Sequence, residues 1–502
     1  MGAYAAWVAS RAGSPAVSPF KRIAWALARR APWLHRLVRQ WHHDSLDPSI
    51  PVDISRSLHR SSRAEKPTST IAAESKLHVW HCIGGLIPGG AERQLCNFVI
   101  GASQRGLNVR VLTLRESIGE DAHYLDLLHQ AGISPFVAGA HFNSHIIQKL
   151  DSMPGTVELL NRLPEFFLPY TVDIVGELLV DPPDILHAWL DHNNVWAGLA
   201  AVIAGVPSIV LSTRNVNPTH FPYLAHPLFK PWYQLLATCP GVRFINNSHP
   251  GAKDYAEWLS LPLNRFHVVH NGVDFSSIVR PSDDLLTSFR KELELPPDAP
   301  IVAGVFRLSE EKQPLVFFEV VRRAMLKTGN LHAVIAGVGP CETELREAIS
   351  QSGLSNRFRL LGRRKDIPII MSAASVFLLT SRQEGTPNVL LEAQWLGCPV
   401  IATKAGGAVD AVSHDTTGLL VDVGDVEGLT DALLSLLHDK ERWKRFSDAG
   451  PEFITRCFGV DRMVEETLAV YRLASSSSLE ELSQSSQTDD RRKCSLPGTL
   501  PH

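Results

Sequence analysis

The sequence lacks the cysteine patterns of zinc sites and disulfide frameworks. Its seven cysteines are scattered over 502 residues, with no Cys-x-x-Cys pair and no cluster with histidine. This distribution is typical of a reducing compartment, so a cytoplasmic location is predicted. The chain also lacks an apolar run approaching the ~20 residues that cross a bilayer, so no transmembrane helix is expected.

A basic excess of the kind that nucleic-acid binders carry is absent too. The formal net charge is −3, so nucleic acid is not a predicted partner and any recognition of phosphate must be local. The length, with 44% hydrophobic residues, allows more than one core, and two domains are expected.

Neither standard phosphate-binding loop is present. The glycine-rich loop from Gly84 to Gly90 does not fit G-x-G-x-x-G, and no Gly-Lys-Ser/Thr follows it as in a P-loop. A tight connection is one interpretation. The other is that its glycines let the backbone approach an anion at the start of the next helix.

Acidic residues are absent before Asp44, where arginines and lysines alternate with apolar residues at roughly helical spacing. This pattern predicts a basic amphipathic helix, broken near Pro32, that could lie in an anionic membrane surface. A solvated basic extension and an organelle transit peptide are the alternatives. The arm and a polar linker are assigned to residues 1–76, and a disordered tail is predicted at 475–502.

Between these ends, short apolar strands alternate with helices, which indicates an α/β fold with parallel sheets. Strands are predicted at 77–80, 109–113, 184–189 and 208–212, and then again at 301–306, 332–336, 358–361, 376–380 and 399–403. Two facing, doubly wound, Rossmann-like domains are therefore expected, at 77–270 and 271–457, with a return helix at 458–474. Ligands of such sheets bind beyond the carboxyl ends of the strands, so the site should lie in the cleft. The stretch 136–179 is interpreted as an insertion.

The most informative segment follows the predicted strand 376–380. It carries Glu384 and Glu392 on either side of a Gly-Thr-Pro turn that leads into a predicted helix. The first N–H groups of a helix lack intrahelical acceptors and attract anions. An ordinary helix entry, with solvated acids, is the alternative.

The sequence Ser381-Arg382-Gln383-Glu384-Gly385-Thr386-Pro387-Asn388-Val389-Leu390-Leu391-Glu392-Ala393 resembles the Glu-x7-Glu signature of family 4 retaining glycosyltransferases. The resemblance extends over about 77–473 and implies the GT-B fold and transfer of a sugar from a nucleotide diphosphate donor with retention of configuration. By this resemblance Glu384 faces the transferred sugar, together with the turn at Gly385 and Thr386. Asn388, Val389 and Leu390 line the diphosphate, and Glu392 binds the ribose.

Arg307 and Lys312 follow the predicted strand 301–306. On the residues alone, they are either a solvated pair or cations that stabilise a leaving diphosphate. The resemblance favours the second interpretation, and no metal requirement is therefore predicted. No cofactor is expected, since the nucleotide sugar is a substrate. Gly337 and Arg363, in later loops, border the nucleotide by resemblance.

In the first domain, Gly89 and Gly90 resemble the family's loop near the diphosphate. Family members usually carry a histidine where this chain has Trp189, which leaves His187, Asp191 and His192 as competing contacts for the donor sugar. A core histidine is the alternative for His187. Arg214 could meet a phosphate or the acceptor.

The predicted function is a retaining glycosyltransferase that acts on a glycan or lipid-linked acceptor in surface polysaccharide biosynthesis, with peripheral contact at the inner membrane face. A nucleotide-sugar epimerase or hydrolase, or a non-catalytic membrane-associated scaffold, is the alternative.

Overall fold

A computed structural model of the chain describes residues 77–475, apart from 141–143, 154–155, 157–159, 161–162 and 165. The predicted arm and linker at 1–76 and the predicted tail beyond Ser475 lie outside the described residues. None of the helices within the described part combines the length and the apolar character that a bilayer crossing requires.

The first domain contains a seven-stranded parallel sheet with the order β3-β2-β1-β4-β5-β6-β7. Its strands are β1 (His78–Ile83), β2 (Asn108–Thr113), β3 (Phe136–Val137), β4 (Ile185–Trp189), β5 (Ser208–Ser212), β6 (Val242–Asn246) and β7 (Phe266–Val268). Its helices are α1 (Gly90–Gln104), α2 (Leu125–Gln130), α3 (Ser144–Ser152), α4 (Leu168–Val180), α5 (Asp191–Ala204), α6 (Phe229–Thr238) and α7 (His249–Leu259).

The second domain contains a six-stranded parallel sheet with the order β10-β9-β8-β11-β12-β13. Its strands are β8 (Ile301–Val305), β9 (His332–Ala336), β10 (Phe358–Gly362), β11 (Val376–Leu379), β12 (Val400–Thr403) and β13 (Gly418–Val421). The helices are α8 (Asp283–Glu292), α9 (Pro314–Lys327), α10 (Glu342–Gln351), α11 (Ile367–Ala373), α12 (Asn388–Trp395), α13 (Ala408–Ala411), α14 (Val426–His438), α15 (Lys440–Phe458) and α16 (Val460–Ser475).

The prediction of two doubly wound α/β domains is confirmed. The central strands β4, β5, β9, β11 and β12 are buried along their whole length. A strand covered on both faces reads as a continuous apolar run, which is why the sequence predicts these strands well.

Several elements were not predicted. The strand β6 contains Arg243 next to its first residue, β7 has only three residues, and β13 begins with Gly418. Helix α4 lies in the stretch interpreted as an insertion, where it packs against α5. Thr171, Ile174, Val175 and Leu178 are buried in α4, and a helix that is apolar on most sides has little periodicity to read.

Helix α16 returns to the first domain and packs against α1 and β5. Met463, Val464 and Tyr471 of α16 are buried in the same apolar cluster as Phe98 and Val99 of α1. The last described helix therefore joins the two domains a second time, beside the link at Asn271.

In each sheet the chain order reverses once, between β1 and β4 in the first domain and between β8 and β11 in the second. Loops diverge at such a switch point and leave a crevice at the carboxyl ends of the two strands. The loops after β8 and β11 carry Arg307, Lys312 and Glu384, so topology brings these three residues to one crevice.

Candidate active site

The loops after β8 and β11 are joined by an ion pair. Lys312 Nζ lies 2.5 Å from Glu384 Oε1, and the hydroxyl of Ser381 donates to the same oxygen at 2.7 Å. The side chain of Glu384 is 8% exposed and that of Lys312 is 23% exposed. A carboxylate and an ammonium group, both largely dehydrated, therefore stand together at the switch point.

The turn after Glu384 lies directly against the first domain. A Cβ atom added to Gly385 would stand 2.5 Å from the carbonyl oxygen of Arg214. Thr386 is buried, its hydroxyl donates to the carbonyl oxygen of Asn247, and its own carbonyl accepts from Asn271 Nδ2 at 3.0 Å. The absence of a side chain at Gly385 is thus a condition for the two domains to meet here.

Helix α12 begins at Asn388, with Pro387 as its N-cap residue. The Asn388 side-chain oxygen accepts from Gln94 Nε2 at 3.2 Å and from Asn271 Nδ2 at 2.7 Å. The amide of Leu390 donates to the carbonyl of Pro387 at 3.1 Å, so a diphosphate would have to compete with that carbonyl for the Leu390 N–H. Val389 is partly buried beside it.

Glu392 is buried in α12 and forms an ion pair that the sequence did not predict. Arg93 Nη2, from the first turn of α1, lies 2.6 Å from Glu392 Oε1. Burial raises the pKa of the Glu392 carboxyl, and Arg93 opposes that rise. The residue expected to bind a ribose therefore holds an arginine of the opposite domain.

Arg307 lies at the mouth of the cleft, with 53% of its side chain exposed. Its Nη2 donates to Glu311 Oε1 at 2.8 Å and to the hydroxyl of Tyr223, from the first domain, at 2.9 Å. Tyr223 also donates to Glu311 at 3.2 Å. Arg307 is thus already paired with a carboxylate, and an incoming anion would have to compete with Glu311.

Gly337 and Arg363 lie at the ends of β9 and β10. Gly337 adopts φ 149°, and a Cβ there would stand 1.9 Å from the carbonyl oxygen of Phe306, so this position requires glycine. Arg363 is exposed and its Nη1 donates to Glu120 of the first domain at 3.0 Å.

Arg214 is a buried residue at the domain junction. It adopts φ 62°, a sparsely populated conformation for a residue with a side chain. Its Nη2 donates to Asn271 Oδ1 at 2.5 Å, its guanidinium lies 5.0 Å from the ring centre of Trp189, and its Nε has no hydrogen-bond partner among the described residues. Burial lowers the pKa of Arg214 to about 9.

His187 is a core residue, which is the alternative considered for it. Its Nδ1 lies 2.7 Å from the Tyr471 hydroxyl and its Nε2 lies 2.7 Å from the Ser212 hydroxyl, and the ring stacks on Trp189. Burial holds its pKa well below the usual range, so the ring is neutral. Both ring nitrogens of His187 are therefore engaged by hydroxyl groups in the core.

Asp191 and His192 begin α5. Asp191 Oδ1 accepts from the hydroxyls of Tyr233 and Tyr255, each at 2.7 Å, and burial raises its pKa to about 6. The ring of His192 packs edge-on against Phe229, and burial lowers its pKa to about 4. The contacts of both side chains lie within the first domain.

The glycine loop after β1 faces α12. A Cβ added to Gly90 would stand 3.2 Å from Asn388 Nδ2, and one added to Gly89 would stand 2.0 Å from Glu92 Oε2. Glu92 is buried, and burial raises its pKa to about 7. This loop therefore reaches the N-terminus of α12.

Residues that the sequence did not assign to the site include Arg93, Tyr223, Glu311 and Asn271. Arg93 lies three residues after Gly90, the last glycine of the loop, so its place in the first turn of α1 was a usable signal. Tyr223 sits in an irregular segment with no pattern, and only the fold brings it to Arg307.

One group among the residues that the structure describes could hold a metal ion: His249, His270 and Asp410. Neither Glu384 nor Glu392 belongs to it. The positive charges that the described residues offer at the switch point are Lys312 and Arg307, beside the N-terminus of α12, which favours an anion.

Two family models match the chain. Glycosyltransferase Family 4 matches residues 88–277, and Glycosyl transferases group 1 matches residues 287–453. Together they span both domains.

The Vi polysaccharide biosynthesis protein VipC/TviE of Salmonella typhi is 31% identical over 376 residues, which are 70% of this chain and 63% of that protein. The chain thus spans less than two thirds of this relative. UDP-Gal:alpha-D-GlcNAc-diphosphoundecaprenol alpha-1,3-galactosyltransferase of Escherichia coli is 28% identical over 262 residues, 51% of this chain and 67% of that enzyme.

Among solved structures, HepE of Anabaena in complex with UDP and glucose superposes with a TM-score of 0.65 at 21% identity, over 79% of this chain and all of HepE. The lipopolysaccharide glycosyltransferase WaaG superposes at 0.56 with 14% identity, over 78% of this chain and 99% of WaaG. These likenesses establish the GT-B fold. The two family models, which together match both domains, show that the chain belongs to the family 4 glycosyltransferases.

Proposed function

We propose that this protein is a retaining glycosyltransferase that moves a sugar from a nucleotide diphosphate donor to a glycan or lipid-linked acceptor in surface polysaccharide biosynthesis. The observation that carries the proposal is the pair of Lys312 and Glu384, 2.5 Å apart at the switch point of the second sheet. Ligands of doubly wound sheets bind at that place.

In this reaction the barrier is the departure of the diphosphate from an oxocarbenium-like sugar centre. Lys312, Arg307 and the N-terminus of α12 stabilise the charge that develops on the leaving group. Glu384 orients the sugar, and the acceptor hydroxyl attacks on the face of the leaving group, which takes its proton. Arg307 must exchange its bond to Glu311 for one to phosphate.

We propose a uridine diphosphate sugar as the donor. The E. coli relative is named for UDP-galactose and HepE was solved with UDP and glucose. The acceptor named for the E. coli relative is an undecaprenol diphosphate sugar, which suits a chain whose first residues read as a membrane-surface helix. No cofactor takes part in the proposed reaction.

The test uses the full chain and a panel of nucleoside diphosphate sugars. A ligand bound only by the native state raises the melting temperature, so the donor should give the largest shift. The selected donor is then incubated with and without short lipid-linked acceptors, and product anomers are read by NMR. If the donor is epimerised or hydrolysed equally with and without acceptor, the alternative enzyme class is favoured. A product with inverted anomeric configuration would exclude the retaining mechanism.

Transfer should not require a divalent metal, because Lys312 and Arg307 supply the positive charge. Activity is compared before and after chelation and gel filtration. The comparison is repeated in the His249→Ala variant, so that effects of any ion at the histidine group are separated from the chemistry. Loss of transfer in both proteins, restored by added metal, would contradict this part of the proposal.

The arm is tested by removing residues 1–76. The shortened protein should keep its donor-dependent melting shift and lose flotation with vesicles of anionic lipid. Unchanged flotation would show that membrane contact does not depend on the arm.

A further inference from the structure

Three side chains from different parts of the fold converge away from Glu384 and Glu392. His249 begins α7 of the first domain, His270 lies in the link between the domains, and Asp410 lies in α13 of the second domain. Their nitrogen and oxygen atoms all lie within 4.8 Å of one another.

Two distances within this group are close to those between neighbouring ligand atoms of one metal ion. His249 Nδ1 and His270 Nε2 each lie 3.2 Å from Asp410 Oδ2. Ligand atoms of a tetrahedral ion bound at about 2.0–2.2 Å stand about 3.3–3.6 Å apart. The two nitrogen–oxygen distances are therefore already close to the edges of such a tetrahedron.

The group also has the supports that ligands need. The backbone N–H of His249 donates to Asp410 Oδ2 at 2.7 Å and orients the carboxylate, as partners of metal ligands do. The carbonyl of His270 accepts from Arg462 Nη2 at 2.9 Å, which fixes the link.

We propose that His249, His270 and Asp410 form a hinge site for one first-row transition-metal ion such as Zn²⁺, with water in the fourth position. Two imidazoles and one carboxylate suit Zn²⁺, Co²⁺ and Ni²⁺ better than the oxygen-preferring Mg²⁺ or Ca²⁺. The His249 side chain is 70% exposed, which leaves an entry path and room for the water.

The ion would fasten the first domain, the link and the second domain to one point. That point is two hydrogen bonds from the active-site turn: the amide of Asp410 donates to Gly407 at 3.2 Å, and the amide of Gly407 donates to Glu384 at 3.2 Å. The site therefore stabilises the observed arrangement of the two domains without taking part in the transfer step.

The test is a Co²⁺ titration of the full, tag-free chain after chelation, followed by visible absorption and by competition with a chromophoric chelator. We expect the protein to bind one equivalent of Co²⁺ and to show the intense d–d absorption bands of a tetrahedral site. His249→Ala, His270→Ala and Asp410→Asn should each weaken binding by more than about 100-fold, since losing even a partner of a ligand costs about 10–100-fold. His438→Ala, which removes an exposed histidine elsewhere, is the control and should bind as the wild type does.

Melting curves in chelator show whether each variant folds. If His270→Ala or Asp410→Asn does not fold, His249→Ala alone provides the test. The His249 side chain is 70% exposed, so its removal should leave the fold intact. The proposal is overturned if the wild type takes up no tight equivalent, or if that equivalent persists in His249→Ala. The experiment measures metal binding and not glycosyl transfer, so its result does not depend on the proposed enzymatic activity.

Discussion

Arg93 of the first domain forms an ion pair with Glu392 of the second, with 2.6 Å between Nη2 and Oε1. The first carboxylate of the signature, Glu384, pairs within its own domain with Lys312. The two acids of one motif therefore have different partners: Glu384 forms its ion pair within the second domain, and Glu392 forms its ion pair across the two domains.

Loss of the Lys312–Glu384 ion pair should lower transfer activity far more than it lowers the stability of the protein. In Lys312→Ala and Glu384→Gln, we expect transfer to fall by about 10²–10³-fold, as when one preorganised charge-stabilising group is removed. The increase in the activation free energy of transfer should be smaller in the double variant than the sum of the two single increases, because the two side chains are in contact. Steady-state kinetics with the selected donor provide the measurement.

The matched control is Lys444→Ala. Lys444 also pairs with a carboxylate, Asp448 at 2.8 Å, but both side chains are exposed, so the pair contributes at most about 1 kcal/mol. Normal turnover in Lys312→Ala, in a folded protein, would remove Lys312 from the mechanism.

Gly385→Ala should separate the domains without unfolding them. The added methyl group would lie 2.5 Å from the Arg214 carbonyl and 2.9 Å from Asn247 Nδ2, so the turn must withdraw from the first domain. We expect transfer to fall at least about tenfold, since small displacements of catalytic groups are costly, while circular dichroism stays unchanged. Gly329→Ala, where nothing lies within 4 Å of the new Cβ, should behave as the wild type, and equal activity in both variants would contradict the contact.

The Arg93–Glu392 pair predicts a pH-dependent loss of stability. Burial raises the pKa of Glu392 and Arg93 restrains it, so Arg93→Ala leaves a buried carboxylate without its cation. The free energy of unfolding should fall by roughly 1–2 kcal/mol at neutral pH, the lower end for a charged hydrogen bond because Arg93 is 36% exposed.

The sign follows from proton binding. An acid with a raised pKa binds more protons in the folded state above pH 4.5, so stability falls as the pH rises through its folded pKa. The loss of unfolding free energy caused by Arg93→Ala should therefore become smaller as the pH falls. The same substitution should cost almost nothing when it is made in the Glu392→Gln variant. Urea unfolding at several pH values measures this loss of unfolding free energy. A loss that does not change with pH would show that the Arg93–Glu392 pair is not its cause.

Asp191 should produce a separate step in stability within the first domain. Burial raises its pKa from 3.8 to about 6, so the folded state takes up a proton in this interval and stability falls as the pH rises from about 4 to 6. The step is on the order of 3 kcal/mol, at about 1.36 kcal/mol for each pKa unit.

Asp191→Asn keeps an oxygen acceptor for the hydroxyls of Tyr233 and Tyr255 and cannot titrate. Its urea midpoint, measured against the wild type, should lack the decline between pH 4 and 6. An identical decline in both proteins would assign the step to another group.

The sequence by itself determined the fold and the position of the signature. The central strands are buried on both faces, so their apolar runs can be read locally. The turn from Glu384 to Asn388 is local as well, because glycine and proline mark a strand end and a helix start within a few residues. Arg307, Lys312 and Glu384 could be grouped because parallel sheets bring the carboxyl ends of their strands to one edge.

Only the tertiary structure decided which groups these residues meet. Arg307 contacts Tyr223, 84 positions away, and Gln94 contacts Asn388, 294 positions away. It also placed His187 between Tyr471 and Ser212, whose hydroxyls engage both of its ring nitrogens. Such contacts depend on how two separately folded sheets are docked and on α16 returning to the first domain, and no local pattern of residues records that docking.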